Sequence, residues 1–190
     1  MLERISSFLV DKLINGQEMD NSDKEVCVYG VQTLIYSIAS TVWLICLGFL
    51  FHEPICACII IGVFSIIQTV GGGKHAKTRI ACMFIMTVII CAGLFICRTN
   101  TPTVVYMLSS SIAMVYLLYR PLILHPNKEF LGTKMNTLII RSRTITSFLF
   151  IILIIILRLL PQYVSAYSMG LSFSALSRLV AVIEQNEQEC

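Results

Sequence analysis

The amino-acid sequence predicts an all-α fold: a polytopic membrane helical bundle of about six transmembrane helices, preceded by an N-terminal amphipathic interfacial helix. Of its 190 residues, 56% are hydrophobic and only 13% are charged, and the mean hydropathy is +0.81. This composition excludes an ordinary soluble domain. Apolar runs recur along nearly the whole chain, so we expect a single integral membrane domain over 1–190, with the bundle at 26–183 and a polar cytoplasmic tail at 184–190.

The first fifteen residues form the predicted amphipathic helix. Its apolar and polar side chains fall on opposite sides of a helical wheel, with Leu2, Ile5, Phe8, Leu9 and Leu13 facing away from Glu3, Arg4, Ser7 and Asp11. Such a helix lies at a membrane interface or packs on the bundle, and the sequence leaves both open. The acidic residues argue against a secretory signal peptide. A polar linker is expected at 15–24.

Uncharged runs predict the membrane spans. Four of them approach or exceed the roughly 20 residues that cross a bilayer as helix: 26–51, 54–73, 80–97 and 99–119. A fifth span is expected at 144–157, where Arg143 and Arg158 can reach the interfaces from its two ends. The sixth, at 159–177, begins with Pro161 in a position that suits a first helical turn.

Basic residues predict the orientation of these spans. Alternate connections on one side carry most of them: Arg4, Lys12 and Lys24 first, then Lys74, Lys77 and Arg79, then Arg120, Lys128, Lys134, Arg141 and Arg143. The opposite connections carry only Arg98 and Arg158. The positive-inside rule therefore places both termini and the 71–79 segment in the cytoplasm.

The candidate active site lies in the segment 71–82, which sets His75 and Cys82 at the edge of two spans. A cysteine attacks as thiolate, and an imidazole and nearby cations favour that form. In one straight helix a seven-residue step rises about 10 Å, too far for a direct hydrogen bond. We therefore expect the three glycines at 71–73 to bend the chain, and Cys82 to gain from the positive end of the next helix if it lies in its first turn.

The other cysteines and histidines lack such surroundings. The remaining seven cysteines lie mostly in or beside apolar spans, where a free thiol behaves as a small hydrophobe. Cys56 and Cys58 form a C-x-C pair without a second pair at ligand spacing, so no metal site is expected. His52 and His125 have no neighbouring cysteine. No cofactor is expected either.

The segment resembles a known family. A Gly-Gly pair followed by His-Ala-Lys-Thr, with a cysteine seven residues after the histidine, is similar to the AgrB family, the accessory gene regulator proteins of Gram-positive bacteria. The proline and lysine at 126 and 128, after His125, form a weaker match. Family members often carry an arginine before the glycines, where this chain has Gln68 and Thr69.

The resemblance implies a cysteine endopeptidase of the bacterial cell membrane that processes a quorum-sensing peptide precursor. Cys82 would be the nucleophile and His75 the base. The thiolate would attack one peptide bond, the C-terminal tail would leave, and a thiol of the precursor would attack the resulting thioester to close a thiolactone.

The resemblance also implies the partners. Family precursors have an amphipathic N-terminal helix that rests on membrane lipid and an acidic C-terminal tail. Six residues are candidates for binding them: Gly73, Lys74, Lys77, Arg79, Lys128 and Lys134. Each cation alone is equally well explained as a topology determinant. A homodimer is implied, small residues at 170–175 would permit close helix packing, and no nucleic acid partner is expected.

Two other classes of function stay open, a small polytopic transporter or channel and a noncatalytic peptide-binding membrane subunit. Glycine-rich breaks near a membrane can line a substrate path. However, all eleven acidic residues lie outside the spans, so no carboxylate is available for a proton relay within the membrane. The sequence also shows no internal repeat.

Overall fold

The helices were located in a computed structural model, which describes residues 2–14, 20–71, 79–99, 101–122 and 132–189. Those residues contain seven α-helices, one short 3-10 helix at Pro161–Tyr163 and no strand, which confirms the all-α prediction. The α-helices are α1 (Leu2–Ile14), α2 (Asn21–Leu50), α3 (Pro54–Gly71), α4 (Arg79–Cys97), α5 (Thr103–Tyr119), α6 (Gly132–Leu159) and α7 (Val164–Glu189). The chain divides into two compact units, Met1–Trp43 and Leu44–Cys190. The single domain stays a prediction.

The first unit contains α1 and the first part of α2. Apolar Ile5 and Phe8 of α1 are exposed, whereas Ser6 is buried. Exposed apolar side chains suit a helix that rests on a membrane, although this location stays a prediction. Lys24 Nζ lies 2.7 Å from an Asp11 carboxylate oxygen and joins α2 to α1 through an exposed ion pair. Since α2 begins at Asn21, the predicted polar linker is shorter than expected.

In the second unit, α2 and α3 are joined by a short turn at residues 51–53. The Glu53 N–H donates to the Gly48 carbonyl over 2.8 Å, and the His52 N–H donates to the Phe49 carbonyl over 3.0 Å. This pair of bonds is typical of a helix end at which the first residue beyond the helix adopts a left-handed conformation. His52 does so with a φ of 55°. α3 then starts at Pro54, where the missing N–H leaves no bond unmade.

α7 is the central helix of the second unit and packs against α3, α4, α5 and α6. It lies close against α3: a Cβ added at Gly170 would lie 2.8 Å from Val63 Cβ and 3.3 Å from the Ile60 carbonyl oxygen. Membrane helices associate largely through such close packing of small residues. Ser174 and Ala175 are buried as well, so the small residues of α7 pack within the chain.

Two tyrosine hydroxyls add interhelical hydrogen bonds. Tyr106 of α5 donates to the Ile96 carbonyl of α4 over 3.1 Å, and Tyr167 of α7 donates to the Leu149 carbonyl of α6 over 2.8 Å. In a region without water, a polar group must find its partner inside the protein. Each bond fixes the position of one helix along the axis of its neighbour.

Within the described ranges, five helices are long and apolar enough to cross a membrane, so the chain is a membrane protein. They are Asp23–Leu50, Pro54–Gly71, Ile80–Cys97, Met135–Leu159 and Pro161–Glu184. The apolar helix α5 has 17 residues and is shorter than each of these five. Large apolar side chains such as Phe49, Phe95 and Phe148 are exposed, as lipid contact requires. A count of six spans stays a prediction.

The last two helices are longer than the sequence predicts. α6 begins at Gly132 instead of near 144, so Arg141 and Arg143 lie on it as exposed residues. α7 continues through Glu189, beyond the expected end at 177. Hydropathy locates only the apolar part of a helix, and polar turns that extend it leave no apolar signal. Pro161 opens the 3-10 helix, the start expected for it.

Replacing Gly170 by alanine is expected to weaken the packing of α7 on α3. The added methyl group would press on Val63, at a cost of about 1–3 kcal/mol in the free energy of unfolding. The measurement is the midpoint of thermal unfolding in detergent micelles. Gly62→Ala on α3 is the matched control, because no atom lies within 4 Å of its added Cβ. A Gly170→Ala protein as stable as the Gly62→Ala protein would contradict the close contact.

Candidate functional site

α3 and α4 lie side by side and run antiparallel. A Cβ added at Gly93, in the second half of α4, would lie 3.1 Å from Ile60 Cδ1 in the first half of α3. α3 ends at Gly71 and α4 begins at Arg79, so the chain reverses direction between these two residues. A straight helix through 71–82, which would have prevented direct activation of Cys82, is therefore excluded.

Cys82 lies in the first turn of α4 and is partly exposed. Helical periodicity places it on the same face as Met86 and Gly93. Met86 packs against the core, and Gly93 lies against Phe173 of α7. Phe84, on the other side of α4, is exposed. The thiol is therefore on the side of α4 that faces the bundle.

Most of the other predicted site residues lie outside the described residues, namely His75, Gly73, Lys74, Lys77 and Lys128. Arg79 begins α4 and Lys134 lies in the first turn of α6, but their side chains are also outside the described part. No group of three His, Cys, Asp or Glu side chains in the described ranges could hold a metal ion. The roles assigned to these residues and to Cys82 stay predictions.

A buried cation that sequence analysis missed, Arg178 of α7, lies at the end of α3. Its side chain is 0% exposed. Nη2 donates to the Ile67 carbonyl of α3 over 3.1 Å. Nη1 donates to the carbonyls of Arg120 (3.1 Å) and Pro121 (3.0 Å), just past the end of α5, and reaches that of Leu117 at 3.5 Å. One guanidinium therefore bonds the ends of two helices.

Gly71, the last residue of α3, lies directly against this guanidinium. A Cβ at Gly71 would overlap Arg178 and would lie 2.8 Å from the Pro121 carbonyl oxygen. The ends of α3 and α5 are therefore in contact. The same Pro121 carbonyl accepts a hydrogen bond from Ser142 Oγ of α6 over 2.6 Å. Four helices, α3, α5, α6 and α7, meet at this point.

The sequence does contain a signal for Arg178. It is the only charged residue between Arg158 and Glu184. A lone charge inside a membrane helix usually has a defined partner and a role. The predicted span ended at 177, which left Arg178 just outside it and hid this signal.

A pair of thiols, Cys56 and Cys97, lies at the start of α3 and the end of α4, away from Cys82. Cys56 Sγ donates to Glu53 Oε2 over 3.3 Å and lies beside Cys97. Cys58, the other member of the predicted C-x-C pair, is exposed, and every described cysteine is free. Cys56 and Cys97 are about 20 Å along the helices from Cys82, so they take no part in the candidate site.

Comparison with known proteins gives a family match over nearly the whole chain. The family model described as AgrB, Accessory gene regulator B, matches residues 4–179. No solved structure is a significant match.

Two curated relatives come from Clostridium perfringens. "Putative AgrB-like protein 2" of strain 13 / Type A is 31% identical over 97 residues, and "Putative AgrB-like protein" of strain SM101 / Type A is 29% identical over 97 residues. Each alignment covers 50% of this chain and 45% of the relative, so the chain spans less than half the length of the relatives it matches. The family model, in contrast, runs from α1 into α7. The chain therefore belongs to the accessory gene regulator B family.

Proposed function

We propose that this chain is a membrane cysteine endopeptidase that removes the C-terminal tail of a quorum-sensing peptide precursor and promotes closure of the remainder to a thiolactone. Membership in the AgrB family supports a role in accessory gene regulation. The observation that carries the enzymatic proposal is the position of Cys82. It is a partly exposed thiol in the first turn of α4, next to a reversal of the chain.

Two features of that position favour a nucleophilic thiolate. The N-terminal end of a helix offers partial positive charge and N–H groups without helical partners. The sequence also ties His75 to within four residues of both Gly71 and Arg79, the last residue of α3 and the first of α4. An imidazole held near a thiol is the usual base for such a nucleophile. This tether supports His75 as the base.

The proposed reaction has two acyl transfers. His75 takes the Cys82 proton, the thiolate attacks the scissile carbonyl carbon, and the C–N bond breaks as the imidazolium gives its proton to the departing amine. The tail leaves with a new N-terminus, and the precursor is held as a thioester on Cys82. A thiol within the precursor then loses its proton and attacks that thioester, which forms the thiolactone and regenerates the Cys82 thiol. Cyclisation outruns hydrolysis if the bound peptide holds its thiol close.

The proposed substrate has an amphipathic N-terminal helix on the membrane and an acidic tail. Gly73, Lys74, Lys77, Arg79, Lys128 and Lys134 are the proposed tail-binding residues. Cations grouped on one side of a membrane raise the local concentration of an anionic peptide. In this proposal both termini and the site face the cytoplasm, where the precursor is made, and the enzyme acts as a homodimer.

Replacing Cys82 by alanine is expected to abolish processing, since no thioester can form without the thiol. The chain is co-expressed with the small peptide gene next to its own, and the released tail and the cyclic product are followed by mass spectrometry. Cys58→Ala, at an exposed cysteine of α3, is the control and should process normally. Processing by the Cys82→Ala protein would contradict the enzymatic proposal. If neither the unchanged chain nor the Cys58→Ala protein processes the precursor, a transport or peptide-binding function is favoured.

Replacing His75 by glutamine is expected to slow formation of the Cys82 thioester by about 10²–10⁴-fold, the usual contribution of a general base. The rate is measured as tail release in membranes with purified precursor. His52→Asn, in the turn at the far end of α3, is the control, since asparagine tolerates the left-handed conformation found there. Equal rates for the His75→Gln and His52→Asn proteins would show that another group takes the proton.

A further inference from the structure

We propose that Arg178 is a positioning residue that holds the ends of α3 and α5 together, so that the segments carrying His75 and Lys128 start from one fixed point. Its catalytic consequence rests on the proposed function, whereas the structural part does not. The structural part rests on the guanidinium, the four carbonyls that it contacts, Gly71 and Ser142.

The end of α5 needs an outside donor. In a continuing helix, the Leu117 carbonyl would accept the N–H of residue 121, but residue 121 is proline and has no N–H. The carbonyls of Arg120 and Pro121 follow the last helical residue and have no helical partner either. Nη1 of Arg178 contacts all three oxygens, at 3.0 to 3.5 Å. Arg178 therefore donates to the Leu117 carbonyl in place of the N–H that Pro121 lacks, and to the two carbonyls that follow the helix.

The end of α3 is shaped to admit the same guanidinium. Nη2 bonds the Ile67 carbonyl over 3.1 Å, one turn before the helix ends. Gly71 lies against the planar group, and any side chain at that position would collide with it. Glycine is required at residue 71 by this close approach, not by an unusual backbone conformation. The absence of a side chain at Gly71 of α3 thus makes room for Arg178 of α7, which lies 107 positions further along the chain.

Charge explains why the cation is stable there without a carboxylate. All four acceptors are carbonyl oxygens, and Arg178 has no acidic partner among the described residues. The C-terminal end of a helix carries about half a negative elementary charge. The ends of α3 and α5 together offset about one positive charge. The guanidinium, planar and with donors at fixed angles, suits several acceptors better than the point charge of lysine.

The consequence for function follows from chain connectivity. Residue 72 follows Gly71, and the chain reaches His75 three residues later; residue 122 follows Pro121, and Lys128 comes six residues after that. Both of the segments to which the proposed function assigns a base and a substrate-binding cation therefore leave from helix ends that Arg178 joins. If Arg178 no longer bonds those ends, the end of α3 from which the chain continues to His75 loses the hydrogen bonds that hold it to α7 and to the end of α5.

The first test is amide hydrogen exchange by mass spectrometry on the full chain in detergent micelles. Arg178→Met keeps the length of the side chain but removes its charge and donors. Exchange is expected to accelerate about tenfold or more at both helix ends, in peptides that cover 66–71 and 115–122, since bonds from a charged donor are lost there. Exchange in the first halves of α3 and α5 should be unchanged.

Four further variants make the test specific. Ser142→Ala removes only the bond from α6 to Pro121, so exchange should accelerate at 115–122 and not at 66–71. Gly71→Ala should disturb both ends, whereas Gly62→Ala on the same helix should disturb neither. Arg178→Lys keeps the charge and some donors and should give an intermediate result. Unchanged exchange in the Arg178→Met protein would overturn the proposal, and so would acceleration spread evenly over α4 and α6, which would show a general loss of folding.

The second test is the rate of precursor processing by the same proteins. Arg178→Met should lower kcat by about a hundredfold, the effect that a misplacement of about 1 Å can have on a positioned reaction. Arg178→Lys should recover part of it. Normal kcat in a protein whose helix ends exchange faster would overturn the positioning role and leave the proposed enzyme intact. Absence of processing in the unchanged protein would refute the proposed function, while the exchange measurements would still decide the role of Arg178 at the helix ends.

Discussion

A guanidinium buried in a membrane helix must find its hydrogen-bond acceptors within the protein, and in this chain the acceptors are the ends of two other helices. In Arg178 of α7, Nη1 and Nη2 meet this constraint by bonding carbonyls of α3 and of the residues that follow α5, whereas the buried Nε has no partner among the described residues. The constraint fixes several neighbours at once: Gly71 must lack a side chain, and Pro121 turns a carbonyl toward both α7 and α6. The close packing of α7 on α3 at Gly170 holds the two helices at the distance that these bonds need.

The same arrangement bears on the chemistry proposed for Cys82. α3 and α5 present their negative ends on the side where α4 presents its positive end, since α3 and α4 are antiparallel. Left uncompensated, the two negative ends would oppose an anion in the first turn of α4. Arg178 bonds carbonyls at both of these ends and offsets part of their negative charge. If the proposed function is correct, the electrostatics of these helix ends is the property of the fold that bears on the Cys82 thiol.

Apolar runs were enough to predict most of the fold. α3 and α4 begin and end within two residues of the predicted spans, because proline, glycine and charged residues bound them sharply. The predicted start of α6 near 144 was wrong, since the polar turns between Gly132 and that position carry no hydropathy signal. In the candidate site, the sequence left the first-turn position of Cys82 as a condition, which the start of α4 at Arg79 meets. The contact of Arg178 with Gly71 could not be predicted, because it depends on how α7 packs against α3, which one sequence does not specify.

The most direct test of the account is to trap the acyl-enzyme. A precursor whose ring-closing cysteine is replaced by alanine can be cleaved but cannot cyclise, so its acyl group should accumulate on the enzyme. Intact-mass spectrometry followed by peptide mapping is expected to find the precursor without its tail, bound through a hydroxylamine-sensitive thioester at Cys82. Tail release with the acyl group on another residue, or equal release by the Cys82→Ala protein, would contradict the account.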